Sequence, residues 1–153
     1  MQKPDLEYLT QCLLELLKTP SPTGYTAAGM QILERQLQTL GLEWTRTRKG
    51  ALCWTLPGKQ GGKQVCFAAH MDTLGAIVKA IKPSGRLKLE RIGFFDWATV
   101  EGEYAVVHRS NGDPLPGTVV NLRQSVHVHG GNFEAVKRDK DTLELRLDSI
   151  TSS

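Results

Sequence analysis

Cysteine is scarce: Cys12, Cys53 and Cys66 are the three in the chain, and no two stand in a Cys-x-x-Cys spacing. An odd count without that spacing argues against a disulfide scaffold and a zinc ribbon. Each sits among apolar neighbours, so three buried free thiols are expected, and a reducing cytoplasm suits them. Long apolar runs are also missing. Nothing approaches the roughly 18 residues of a membrane helix, and Met1-Gln2-Lys3-Pro4-Asp5 lacks the apolar centre of a secretory leader. The sequence is therefore read as cytoplasmic, with no membrane partner. Charge of one sign is weak, at net +3. The densest basic stretch, Arg46-Thr47-Arg48-Lys49, is short and has no interleaved aromatics, so it reads as a solvated turn rather than a nucleic-acid contact. A Gly-x-Ser-x-Gly elbow and a phosphate-binding loop are both absent.

What is present is ordinary globular material: 153 residues, 40% hydrophobic and 23% charged, enough for one domain or two small ones. Leu6, Leu9, Leu13, Leu16 and Leu17 recur at helical spacing, with Asp5 as a cap and Pro20 as a stop. Thr19-Pro20-Ser21-Pro22-Thr23-Gly24 is a stiff loop, because its prolines and glycine break both helix and ladder. A second helix is expected from about Thr26 to Leu40, with Met30, Leu33, Leu37 and Leu40 as its stripe and Gly41 as its stop. Strands follow at Leu42–Thr47 and Ala51–Leu56, then a turn from Pro57 to Gly62. Lys63–Ala69 contains Val65-Cys66-Phe67-Ala68-Ala69, an uninterrupted apolar run that suits a central strand covered on both faces. About 70 residues are a thin source for those covering layers.

Beyond Thr73 the pattern turns to short strands. Gly75–Ile81 and Arg86–Ile92 form a hairpin around Lys82-Pro83-Ser84-Gly85. Glu103–His108, Gly117–Val120, Ser125–His129 and Leu143–Leu147 complete the set, with Asn111-Gly112 as a turn. The resulting fold class is α/β, with a small barrel or sandwich in the second half and a boundary just after Asp72.

The strongest chemical candidate is His70-Met71-Asp72, because ligands in open α/β sheets bind beyond the carboxyl ends of strands. One imidazole nitrogen can take a metal while a nearby carboxylate fixes the tautomer through the other. His127-Val128-His129 is a second candidate, since residues two apart on a strand share a face. No third ligand is evident there, and exposed strand histidines are the plainer reading. His108 reads as a surface residue. Asp96, Glu101, Glu103 and Asp113 read as solvated loop carboxylates, and Cys66 lies mid-strand, away from a nucleophile's usual setting.

Thr19-Pro20-Ser21-Pro22-Thr23-Gly24-Tyr25, Ala68-Ala69-His70-Met71-Asp72-Thr73-Leu74-Gly75-Ala76-Ile77-Val78, and Arg86-Leu87-Lys88-Leu89 with Gly93 resemble the start of the glutamyl-aminopeptidase and endoglucanase-M-like metallopeptidases, the tetrahedral aminopeptidases. Tyr104–His108, Pro116–Val120 and Leu145–Asp148 resemble that family's inserted β-domain and the strand returning from it. The Ser21–Thr26 and Asp96-Trp97-Ala98 details are most similar to a subgroup associated with an osmoprotectant dipeptide system. The resemblance implies the N-terminal portion of an α/β catalytic domain at residues 1–72 and a PDZ-like or barrel-like dimerisation domain at 73–147. Residues 148–153 would begin the return to the catalytic domain. It also implies a peptide substrate, a homo-oligomer, and two divalent metal ions, zinc or cobalt, that activate a water. His70 matches the first metal ligand and Asp72 the acidic residue that orients it.

The family's bridging aspartate, paired glutamates, further aspartate ligand and final histidine fall beyond Ser153. Asp148 matches a non-ligand position, and Thr73 stands where many members have glutamate. The expectation is a metal aminopeptidase portion inactive alone. Two other readings stay open: a stand-alone β-domain for interaction or self-association, and a small metal-binding protein using His70, His127 and His129.

Overall fold

The computed structural model describes residues 3–59, 61–133 and 136–148. It divides into two compact units, Met1–Thr73 and Leu74–Ser153. The expected return to the catalytic domain at 148–153 lies, beyond Asp148, outside the described residues.

The first unit opens with α1, Leu6–Lys18, capped by Asp5, whose carboxylate accepts from the Tyr8 N–H at 3.0 Å. Thr19 returns its N–H to the Leu16 carbonyl, and Pro20, with no N–H, ends the helix. Helix α2, Ala27–Thr39, stops where Gly41 takes φ +66°, a left-handed conformation that favours glycine. The two helices meet through polar groups: the Tyr8 hydroxyl donates to Gln36 Oε1 at 3.0 Å, and Arg35 pairs with Glu15. Helix α2 buries Met30, Ile32 and Leu37, but α1 buries nothing. Its Leu6, Leu9, Leu13 and Leu17 stripe faces solvent. Strands β1, Trp44–Arg46, and β2, Leu52–Trp54, form an antiparallel hairpin. The Arg46–Lys49 stretch lies exposed at its turn, with Arg46 paired to Glu34 at 2.9 Å.

Lys63–Ala69 departs from expectation. It belongs to no ladder among the described residues, and every residue of it is exposed, Phe67 at 93% and Val65 at 75%. A strand apolar on both sides forms when neighbours pair its edges and layers cover its faces. The described residues supply neither. The thiols follow suit: all three are free, yet Cys53 and Cys66 are exposed and Cys12 is half-buried, because the segments carrying them lack a covering layer.

The second unit is a curled antiparallel sheet. Its strands are β3 Gly75–Ile81, β4 Leu87–Ile92, β5 Tyr104–Val107, β6 Leu115–Asn121 and β7 Leu143–Leu147, in the spatial order β3-β4-β7-β6-β5. Leu87, Leu89, Trp97, Val119, Leu143 and Leu145 form the core, with Phe95, Val100, Ala105, Val107 and Leu147 packed against it. Trp97 begins a short 3-10 turn, Trp97–Val100, in which the Asp96 carboxylate accepts from the Ala98 N–H at 2.9 Å. The Trp97 ring meets Phe95 edge-on at 5.3 Å between centroids. Alternation along β7 sends Glu144 to the opposite face from Leu143 and Leu145. There it is 2% exposed, accepting from Lys82 and, at 2.7 Å, from Arg86. Burial acts to raise the Glu144 carboxyl, but those two cations outweigh it and hold it below the ordinary glutamate range.

Ser125–His129, read as a strand, is a helical turn instead. It forms α3, Val126–His129, whose Val128 and His129 N–H groups return to the Ser125 carbonyl. The alternating Val-His-Val-His pattern mimics a strand, but Gly130 at φ +59° ends it before a ladder can form. No helix among the described residues is long and apolar enough to cross a membrane.

Leu145 is 1% exposed at the sheet centre, so Leu145→Ala should destabilise the second unit by about 2–5 kcal/mol in urea unfolding. Tyr104→Ala, at a position 82% exposed, should change it by less than about 0.5 kcal/mol. A carboxyl depressed in the folded state adds stability above its unfolded pKa and loses it as pH falls through the folded value. Stability of this unit should therefore decline as pH drops below about 4.3, and Glu144→Gln should flatten that decline.

Candidate functional site

The stiff loop after α1 fixes the segment around His70. Ser21, 1% exposed, donates from its hydroxyl to the Met71 carbonyl at 3.2 Å, and its own carbonyl accepts from the Thr73 N–H at 2.8 Å. Pro22 forms a parallel bridge with Thr73. The Met71 side chain fills the space above Gly29 of α2, where a Cβ would come within 2.1 Å of the Met71 methyl. These contacts pin Met71 and the carboxyl-terminal side of the tripeptide His70-Met71-Asp72 within the first unit.

On that platform Asp72 has two partners. Thr23 Oγ1 donates to Oδ2 at 2.5 Å, and His70 Nδ1 lies 3.1 Å from Oδ1 and 3.1 Å from the Asp72 carbonyl oxygen. The Thr23 hydrogen bond is the largest influence on the Asp72 carboxyl; burial opposes it, the His70 hydrogen bond adds to it, and together they hold the group below the usual carboxylate range. Both neighbours of Nδ1 are oxygens that only accept, so Nδ1 carries the proton in the neutral ring. The Nε2 lone pair is then free, and the imidazole side chain is 86% exposed. This is the arrangement of an oriented metal-ligating histidine: one nitrogen fixed by a carboxylate, the other offered outward.

Other candidates fare differently. In α3, His127 and His129 are two residues apart on a helix, about 200° around its axis. They lose the shared face that a strand would have given them, so the chelating pair weighed as a second candidate is not formed. Among the described residues, no group of three or more His, Cys, Asp or Glu side chains could hold a metal ion. His70 and Asp72 thus fit one ligand and its orienting carboxylate, not a two-ion centre. Sequence reading singles out neither Ser21 nor Thr23, because their partners lie 50 and 49 residues away. The density of prolines around them was the available signal.

The tautomer is measurable. In the neutral ring, long-range nitrogen–proton NMR should show His70 protonated on Nδ1. Asp72→Ala should shift the population toward the Nε2–H form. A wild-type ring already protonated on Nε2 would contradict this geometry.

Residues 50–153 match the family model of M42 glutamyl aminopeptidases. YhfE of Bacillus subtilis (strain 168), assigned as an aminopeptidase, is 39% identical over 138 residues, which is 90% of this chain and 40% of YhfE. Among solved structures, the TET aminopeptidase of the marine sediment archaeon Thaumarchaeota archaeon SCGC AB-539-E09 superposes with a TM-score of 0.81 at 16% identity, over 94% of this chain and 39% of that one. PhTET1-12s, a dodecamer in its crystal, gives 0.74 at 19% identity over 91% of this chain and 39% of its own. An endoglucanase from Thermotoga maritima gives 0.64 at 20% identity, over 86% and 36%. At these identities the solved structures share the fold, and this chain spans about two fifths of YhfE's length. The family match over residues 50–153 and the identity with YhfE show that the chain belongs to the M42 glutamyl aminopeptidase family.

Proposed function

We propose that this chain supplies the amino-terminal part of a metal-dependent aminopeptidase and does not turn over peptides alone. The observation that carries this reading is the His70–Asp72–Thr23 relay in a chain of this family. Two divalent ions, zinc or cobalt, would supply carbonyl polarisation and an activated water when bound. His70 would give Nε2 to one of them. Asp72 orients that ring and Thr23 holds Asp72 in place. One histidine with one orienting carboxylate leaves such a centre open, and the remaining donors would come from the rest of the enzyme.

In this reading residues 1–72 are part of the catalytic domain, and 73–147 are a PDZ-like or barrel-like module for homo-oligomer assembly, with 148–153 turning back. The exposed edge-strand side chains Ile77, Ile81, Tyr104 and Val106 support an assembly role, as does the dodecamer formed by PhTET1-12s. The free thiols suit a cytoplasmic enzyme. A second reading, a stand-alone β-module without catalysis, draws on the self-contained core of the second unit.

A chimera separates the two. YhfE with its matched segment replaced by this chain's should release amino acids from aminoacyl substrates when given zinc or cobalt. His70→Ala in the chimera should lower turnover by at least about 100-fold. The isolated chain should show no metal-dependent turnover. An inactive chimera, or one indifferent to His70→Ala, would contradict the proposal.

A further inference from the structure

Gly29 lies buried in the first turn of α2, where alanine would be the better helix former. The room left by its missing side chain is taken by Met71. A Cβ at position 29 would come within 2.1 Å of the Met71 methyl and 3.3 Å of its sulfur. The buried Ser21 stands beside the same slot, its hydroxyl 3.2 Å from the Met71 carbonyl and 3.4 Å from the Met71 sulfur. Met71 is thus held by its side chain and its backbone at once. The two sides of His70-Met71-Asp72 are held unequally. Asp72 and Thr73 are fixed by the Thr23 hydroxyl, the Ser21 carbonyl and the Pro22 bridge. On the other side, Lys63–Ala69 is exposed and belongs to no ladder among the described residues. The His70 ring is itself exposed, and its hydrogen bonds go to Asp72. Where His70 sits relative to Asp72 is therefore set by the residue between them.

We propose that Met71 is a positioning residue for His70: seated in the slot over Gly29 and clasped by Ser21, it fixes the His70 backbone so that Nδ1 meets Asp72 and Nε2 is left free. An unbranched thioether suits the task, because it fills a narrow, irregular gap. Met71 acts through geometry and needs no contact with substrate or metal. Turning its peptide would swing the imidazole off both Asp72 oxygens, each 3.1 Å from Nδ1, and the tautomer preference would relax. Gly29 serves the same end by leaving the slot open. The Met71 methyl is the flexible end of its side chain, so one added carbon at position 29 is met by a turn of that end, whereas a branched side chain displaces Met71 from its seat. That His70 is a metal ligand rests on the aminopeptidase reading. The hold of Met71 on the ring does not, and it is read on the metal-free chain.

The test measures the His70 tautomer in the neutral ring of the metal-free chain by long-range nitrogen–proton NMR. Gly29→Val, which fills the slot, and Met71→Ala, which empties it, should each raise the ratio of the Nε2–H to the Nδ1–H form at least about 5-fold, the change expected when one ordinary hydrogen bond is lost. With Met71 already alanine, Gly29→Ala should add no further change, because the two positions act at one contact. Asp5→Ala removes the cap of α1 and weakens the same unit without touching the slot, and should leave the ratio as it is. Should Gly29→Val fail to fold, Met71→Ala decides. An unchanged ratio in Met71→Ala, an equal change in Asp5→Ala, or a further change from Gly29→Ala once Met71 is alanine would each overturn the proposal. A tautomer that responds as expected while the YhfE chimera is inactive would leave the positioning role standing and count against the aminopeptidase reading. An active chimera whose His70 tautomer ignores Met71→Ala would do the reverse.

Discussion

A polypeptide segment apolar on both sides needs two covering layers, and the first unit carries a segment that has neither among the described residues. Fully burying a Val, Leu or Phe side chain is worth about 1.5–3 kcal/mol. Leaving Val65, Phe67 and the α1 leucines in water forfeits an amount comparable to the whole stability of a small domain, about 5–15 kcal/mol. What holds the unit is the buried Met30, Ile32 and Leu37 of α2, the Asp5 cap of α1, polar contacts between α1 and α2, the β1–β2 hairpin, and the long-range clamp from Ser21 to Thr73. The second unit is built the other way, with Leu143 and Leu145 almost fully buried beneath Trp97 and Val119.

This contrast bears on function because His70 belongs to the weaker unit. Its geometry does not depend on the missing layers. Asp72 is set by Thr23, Met71 by Ser21, and Thr73 by the Ser21 carbonyl. The loop thus prepares a single oriented imidazole while the segment leading to it stays uncovered. A histidine positioned in this way is chemically ready to be one ligand among several, but the described residues bring no further donors to it.

Much of the architecture was legible in the sequence because its signals are local. Asp5 and Pro20 bound α1, Gly41 ends α2, and the hairpin around Lys82–Gly85 follows from its turn residues. For Lys63–Ala69 the shortage of covering layers was legible, but the absence of a ladder among the described residues was not, because a run of apolar residues records what a segment is suited to, not whether its neighbours are there. Val126–His129 misled for a related reason: its alternation matches a strand, but a single turn closed by Ser125 and cut by Gly130 satisfies it locally. At the site, His70 and Asp72 stand two apart and were visible. Thr23 and Ser21 act across about 50 residues, and no spacing rule reaches that far.

The central claim is that the segment leading to His70 is unpaired and uncovered among the described residues while the loop beside it holds Asp72 and Thr73. Amide hydrogen exchange on the isolated chain addresses it most directly. The account predicts near-intrinsic exchange for Lys63–Ala69 beside strong protection of Leu143–Leu147. Protection of Lys63–Ala69 comparable to that of Leu143–Leu147 in the isolated chain would contradict it.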